Sequence, residues 1–340
     1  MIKTALILGS RVGGNVAASL LRKRLPHVHR VVRVERAVRF ALLSALLIFV
    51  APVVAAPLQV QKVTDGVYAL VGELAQRSPG NLGNNATFGV IVTGDGVVLV
   101  DPGGSYNGAK QIHETIRSIT KQPVRVVINT GGQDHRWLGN GYFKAQGARI
   151  IASAAAVADQ RARTTDQLIT LNRLVGEKLM EGTETVHAGE TFEDRLEFEV
   201  GGVRLVLRHT GTAHTPGDSF VWLPQKKIVF AGDIVYVERM LVVSSESRTL
   251  SWIKAFEEIA ALNPEHVVPG HGPATTLARA RADTFDYLVA LRAQVKAFMD
   301  GGGEINDVGK IDQSRFKHLK LFEELKGRNA QQVFQEMEWE

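Results

Sequence analysis

The sequence predicts an α/β fold: an αββα sandwich of two mixed β-sheets flanked by helices, with a C-terminal helical extension. Three observations predict it. Two strand-rich stretches, 63–129 and 148–268, each contain a helix followed by a closing strand. Polar residues gather where the strands end, the place from which a sheet-based fold presents side chains to a cleft. Beyond Thr284 apolar residues recur at three- and four-residue spacings, the helical period.

At the N-terminus, Thr4-Ala-Leu-Ile-Leu-Gly9-Ser-Arg11-Val-Gly13-Gly14, a helix-like stretch and Val31–Glu35 read as strand, glycine turn, helix and strand. The order resembles the opening βαβ unit of a flavin-dependent disulfide reductase, in which glycines admit a pyrophosphate to a helix N-terminus. Arg11 stands where the second glycine belongs, and no further strands follow to complete a sheet. Residues 1–36 are therefore expected to be a dinucleotide-binding-like remnant without function, or the product of a misplaced start. Residues 37–56 follow a basic flank (Arg33, Arg36, Arg39) with an apolar run, Phe40–Val50, and small residues ending at Ala55-Ala56. This is the layout of a signal peptide cleaved after Ala55. A membrane anchor is the other reading, since an apolar segment of about 19 residues can span a bilayer. Both deliver the domain outside the cytoplasm.

The expected domain occupies residues 57–276. Val63–Val71, Thr87–Val92 and Gly96–Asp101 read as antiparallel strands separated by Asn/Gly turns. A helix from Ala109 to Ser118 and a strand, Val124–Asn129, complete the first half. Strands near 148–152, 195–208, 218–223 and 227–231, a helix at 251–262 and a strand at 265–268 form the second. In residues 277–340, Phe285, Leu288, Leu291, Val295 and Phe298 mark an amphipathic helix stopped by Gly301-Gly-Gly303, and short helical segments follow. This extension is expected to pack on the domain or on a second subunit as a homodimer contact.

Charge excludes one partner class. The formal net charge is +5, but residues 1–40 hold nine of the 40 Lys/Arg and one of the 35 acids, which leaves a net −3 for the rest. The basic balance belongs to the leader and makes no case for nucleic acid. With no cysteine, a metal must be held by His, Asp, Glu or backbone oxygen.

Four segments carry candidate chemistry: Asp101-Pro-Gly-Gly104; Asn129-Thr-Gly-Gly-Gln-Asp134-His135; His214-Thr-Pro-Gly-Asp218; and Ala231-Gly-Asp233, followed by Val268-Pro-Gly-His271. Singly, an Asp or His at a strand end is more often a turn or cap residue than a ligand. As an ordered set over residues 56–276 they resemble the five-motif series of the metallo-β-lactamase superfamily, which includes glyoxalase II and many lactonases. The resemblance implies metal-ligating roles for His214, for Asp233 as a bridging carboxylate, and for His271. The first motif departs from the family's His-x-His-x-Asp-His. Anchored on Asp134-His135, it keeps the last two ligands and sets Thr130 and Gly132 where two histidines belong, and this alignment is preferred because it retains an Asp-His pair. Anchored on the flanks Val127–Thr130 and Gly139-Asn140, it places Gly131, Gln133, His135 and Arg136 on the four positions without a gap.

The expected metal set is Asp134, His135, Asp233, His271 and His214, holding one Zn²⁺ per chain, because the first-metal position keeps too few donors. The expected chemistry is metal-assisted hydrolysis of an ester, thioester, lactone or amide in a small-molecule substrate. In it Asp134 or Asp233 orients or deprotonates water, and His214 donates to the substrate oxygen. Gln133 and His209 are supplementary donors. Asp101 either supports the ligands or caps a turn; His187 is a surface or turn residue; His113, His266 and His318 are structural. The tail and Gln133–Asn140 resemble the exported branch of quinoprotein relay or thiosulfate-oxidation-associated metallohydrolases, which implies the periplasm and permits an inner-membrane tether. A metal-poor binding protein in such a pathway and a flavin- or NAD-binding protein are the competing readings.

Overall fold

The computed structural model describes residues 55–340. The expectations for 1–36, and for 37–56 apart from its last two residues, fall outside the described residues. Among those described, no helix is long and apolar enough to cross a membrane.

The first sheet contains β1 (Gln59–Thr64), β2 (Val67–Val71), β3 (Thr87–Thr93), β4 (Gly96–Val100), β5 (Val124–Asn129), β6 (Arg149–Ser153) and β7 (Glu190–Phe192), side by side in that order. Pairing is antiparallel from β1 to β4 and parallel from β4 to β7. The parallel half needs crossovers. They are α1 (Tyr106–Ile119) between β4 and β5, the short α2 (Asn140–Lys144) between β5 and β6, and α3 (Ala154–Val175) with α4 (Glu177–Met180) between β6 and β7. The second sheet runs β12 (His266–Val268), β11 (Ile228–Phe230), β10 (Ser219–Leu223), β9 (Val203–His209) and β8 (Arg195–Val200), with β11 and β12 parallel. The helix α5 (Thr249–Ala261) links β11 to β12.

Period-two alternation assigns the faces. Val98, Val100, Val126 and Ile128 point between the sheets and meet Leu205, Leu207, Val221 and Phe230. Val97, Leu99 and Val127 point outward onto Ile112 and Ile116 of α1. That helix is started by Ser105, whose side chain accepts from the Gly108 amide. The sheets approach so closely at Gly89 that a Cβ there would lie 2.4 Å from the Phe230 ring. The outer face of the second sheet is covered by Trp252 and Phe256 of α5 and by the C-terminal extension.

The extension comprises α6 (Leu277–Ala280), a π turn (Arg281–Phe285), α7 (Asp286–Asp300) and α8 (Phe322–Met337). Its apolar stripe, including Leu288, Leu291, Val295, Val333 and Phe334, is buried against its own domain. Glu336 of α8 accepts from the Thr249 amide at 2.8 Å and its hydroxyl at 2.7 Å, capping α5 from outside because the preceding Arg248 offers no side-chain cap.

Local readings needed three corrections. The 63–71 run is two strands, turned at Gly66 with φ 75°. The 195–208 run is the hairpin β8–β9, turned at Gly201 and Gly202 with φ 51° and 83°. The helix α3 had no sequence forecast, because it buries polar Asp159, Gln160 and Gln167 where an apolar stripe would have announced it.

Candidate metal centre

The strand ends β4, β5, β9 and β11 and the loop after β12 converge at one edge of the sandwich. The loop leaving β5 is clamped at its base by Asn129 and Asn140, whose side-chain amides donate to each other's carbonyl oxygens at 2.9 and 2.8 Å. Within the clamp, Asp134–Arg136 form one 3₁₀ turn. Three residues per turn send the three side chains in different directions.

His135 points to the centre. Its Nε2 lies 3.3 Å from Asp233 Oδ2, and His271 Nε2 lies 3.2 Å from Asp233 Oδ1. Candidate ligand atoms of His135, Asp233 and His271 all lie within 4.8 Å of one another, and all three residues are buried. His214, also buried, lines the same cavity of about 320 Å³ together with His135 and His271.

The imidazoles are held in defined tautomers. The Nδ1–H of His271 donates to the Asn85 carbonyl at 2.7 Å, and that of His214 to the Val242 carbonyl at 2.9 Å. Each therefore keeps a bare Nε2, the form a metal requires. Burial pushes the His214 pKa down to about 4 and holds that of His271 well below the ordinary value, so both are neutral at pH 7. His135 donates Nδ1–H to Asp134 Oδ1 at 2.9 Å. Arg77 Nη2 also lies 2.9 Å from that nitrogen, but a protonated Nδ1 cannot accept, so Arg77 serves Asp134. His135 Nε2 is then a buried nitrogen without a hydrogen-bond partner.

Asp134 is not brought to the centre as a ligand. Its Oδ1 accepts from Arg77 Nε at 3.1 Å and from the His135 amide at 2.7 Å. Burial would raise its pKa, but Arg77 and His135 outweigh burial and hold it well below the usual carboxylate range. The side chain that joins Asp233 from this turn, besides His135, is Arg136. Its Nε is 3.1 Å from Asp233 Oδ2 and its Nη2 is 2.7 Å from Oδ1. Nη2 also donates to the Gly270 carbonyl, and Nη1 reaches Asp101 Oδ2 at 2.9 Å and the Thr87 carbonyl at 3.3 Å. Every donor of this buried fork is engaged. Its pKa is raised by Asp233 and Asp101 against the cost of burial, and Arg136 in turn holds Asp233 well below the carboxylate range. This placement matches the gapless alignment of the first motif, with His135 and Arg136 on its third and fourth positions.

Of the first two positions of that motif, Gln133 lines the cavity, whereas Gly131 has no room for a side chain. A Cβ at Gly131 would sit 2.5 Å from Asp218 Oδ1, and one at Gly132 would overlap Asp159 Oδ2. Asp218 accepts from the Thr215 amide at 2.8 Å and from its hydroxyl, while burial and Asp233 push its pKa up to about 8.

Residue-level expectations divide accordingly. His135, Asp233, His271 and His214 converge, and Gln133 lines the cavity. Asp101 supports the site, accepting from the Thr130 amide and hydroxyl at 2.8 Å and from Arg136. His209 turns to the Asp218 carbonyl and does not line the cavity; His187 stacks on Trp137. Sequence reasoning did not single out Arg77, Tyr236 or Arg239, which also line the cavity. Nothing in their local sequence marks them; Tyr236 stacks on His271 with centroids 4.5 Å apart.

A sequence model of the metallo-beta-lactamase superfamily matches residues 83–271, from the turn before β3 through His271. The chain belongs to the metallo-beta-lactamase superfamily. It is 25% identical over 191 residues to a type 2 metallo-beta-lactamase of Elizabethkingia meningoseptica, covering 55% of this chain and 68% of that protein. It is 24% identical over 185 residues to the alpha subunit of a 2,4-dinitroanisole O-demethylase of Nocardioides, covering 54% of this chain and spanning about half (51%) of that relative. In structure it resembles a metallo-beta-lactamase from Pontibacter korlensis, with TM-score 0.52, 23% identity and coverage of 66% of this chain and 95% of that one. It also resembles a stereoselective inverting sec-alkylsulfatase from Pseudomonas, with TM-score 0.63, 15% identity and coverage of 82% and 50%. At these identities the structural likenesses establish the fold. Superfamily members are generally metal-dependent hydrolases, and the His135–Asp233–His271 cluster is a donor set of that kind.

Proposed function

We propose that the protein is a metal-dependent hydrolase that holds one zinc ion with His135, His214, His271 and Asp233 and cleaves an ester, thioester, lactone or amide. The observation that carries this reading is the orphaned His135 Nε2, buried and aimed at Asp233 and His271. A buried nitrogen of this kind is costly unless it meets a partner, and nitrogen and carboxylate donors without cysteine suit zinc. Zinc bound there supplies a Lewis acid and an acidified water.

The chain's own residues have distinct tasks in this reading. Asp134 orients His135 and does not touch the reacting atoms. Asp233, kept ionised by Arg136, is a ligand and a weak base. His214, neutral with Nδ1–H committed to Val242, presents an acceptor and not a donor to the cavity, so it takes up a proton or coordinates instead of donating to the substrate. Arg136, on the fourth position of the motif, supplies a permanent positive charge on the inner side of Asp233, and with the closed first position at Gly131 it argues for a single metal.

Metal analysis of the purified chain tests the reading: about one tightly held zinc per chain, absent in His271→Ala, with ester hydrolysis lost on chelation. A folded chain that takes up no zinc would replace it with the second reading, a metal-poor binding protein, which the neutralisation of Asp233 by Arg136 favours. The leader also supports export to the periplasm; a secreted chain beginning at Ala56 would bear that out.

A further inference from the structure

The rim of the cavity carries more positive charge than its acids balance. Arg77 is paired with Asp134, and Arg163 with Asp159 and toward Glu246. Arg239 is different. It lines the cavity, is only 2% exposed and makes no ion pair among the described residues; its one hydrogen bond is from Nε to the Leu74 carbonyl, 3.0 Å away. A buried guanidinium without an acid is costly to fold, and it keeps donors free for a ligand. Arg328 of α8 lines the same cavity, is exposed and is likewise without an acid partner among the described residues.

The C-terminal extension, beyond the span matched by the superfamily, builds this arrangement. Arg239 forms a parallel bridge with Lys320, fastened by hydrogen bonds from the Met240 amide to the Lys320 carbonyl and from the Lys320 amide to the Glu238 carbonyl, 2.9 and 2.8 Å. Glu238 adopts φ 60°, and its amide donates to Asp283 of the extension at 2.9 Å. The same extension supplies Arg328 and Leu325 to the cavity wall. Asn329 grips the Leu241 carbonyl and the Val243 amide around Val242, the residue that orients His214.

We propose that Arg239 and Arg328 form a subsite for an oxyanion carried by the substrate, so that the compound cleaved bears a carboxylate or sulfate on the side facing the C-terminal extension. The proposal deepens the hydrolytic reading of this cavity, but the subsite is complete without a metal. Planar guanidinium forks match both oxyanions.

Calorimetric titration of the chelator-treated full chain with sodium sulfate and with disodium succinate, at constant low ionic strength, tests it. Saturable binding of at least one is expected, weakened about tenfold in Arg239→Met and severalfold in Arg328→Met. The tighter anion identifies the oxyanion class. Zinc content should stay unchanged in both variants. Absence of binding by the wild type, or equal binding by all three chains, would overturn the subsite. Arg328→Met lies on the exposed rim, so it and the wild-type titration decide the matter even if Arg239→Met does not fold. Anion binding in a chain that takes up no zinc would retain the subsite and remove the hydrolase.

Discussion

Arg136 and Asp233, separated by 97 residues, meet in a fully buried two-pronged ion pair, Nη2 to Oδ1 at 2.7 Å and Nε to Oδ2 at 3.1 Å. The guanidinium bridges onward to Asp101 at 2.9 Å, so one internal cation fixes the ends of β4 and β11 and the loop after β5. Arg136→Met leaves two carboxylates buried without a counter-ion and is expected to destabilise the chain by about 3–5 kcal/mol. Arg136→Lys keeps charge without the fork and should fall between. Urea denaturation of the chelator-treated protein measures both.

Asp134 acts through His135. Asp134→Asn is expected to weaken zinc binding about 10- to 100-fold while leaving the stoichiometry unchanged, the usual size of effect when an orienting partner of a ligand is altered. His135→Ala and His271→Ala should abolish tight binding. Competition against a chromogenic chelator separates these cases, and equal loss in all three would make Asp134 itself a ligand.

Restoring the family's first histidine should fail. Gly131→His drives a side chain into Asp218, so it is expected to destabilise the fold by about 1–3 kcal/mol or more without adding a second zinc. Metal content together with the melting temperature reads both parts.

Asp218 makes stability pH-dependent in the metal-free chain. Its folded pKa of about 8 lies above the unfolded value near 4, so the folded state binds the extra proton between them. Its contribution is complete below about pH 4 and is lost as pH rises through 8, with a slope of at most about 1.4 kcal/mol per pH unit. Asp218→Asn should flatten the curve of urea midpoint against pH between 5 and 8. An unchanged curve would assign the titration elsewhere. His214 contributes in the opposite sense: its folded pKa of about 4 lies below the unfolded value near 6.5, so its contribution is lost as pH falls through that window.

Much of the architecture was legible because strands announce themselves by short β-branched apolar runs bounded by turn residues, as in Val97–Val100, and because Asp233, His214 and His271 sit in short turns whose glycines and prolines mark them. The helix α3 escaped because polar residues interrupt its buried face, satisfied by contacts such as Gln160 to the Gly131 carbonyl and Gln167 to the Gly132 carbonyl. Arg77 and Arg239 escaped because their partners, Asp134 and Leu74, lie 57 and 165 residues away.

By itself the sequence determined the sheet order's raw material, the nitrogen and oxygen character of any metal site, and the strand ends at which that site must lie. Which of Asp134, His135 and Arg136 faces Asp233 was decided by tertiary structure alone. On a 3₁₀ turn neighbouring side chains diverge by about a third of a revolution, so a one-residue difference in register exchanges a ligand for a supporting group. Packing against Arg77, Asp159 and Asp218, all remote in the chain, selects the register, and no local pattern encodes such neighbours.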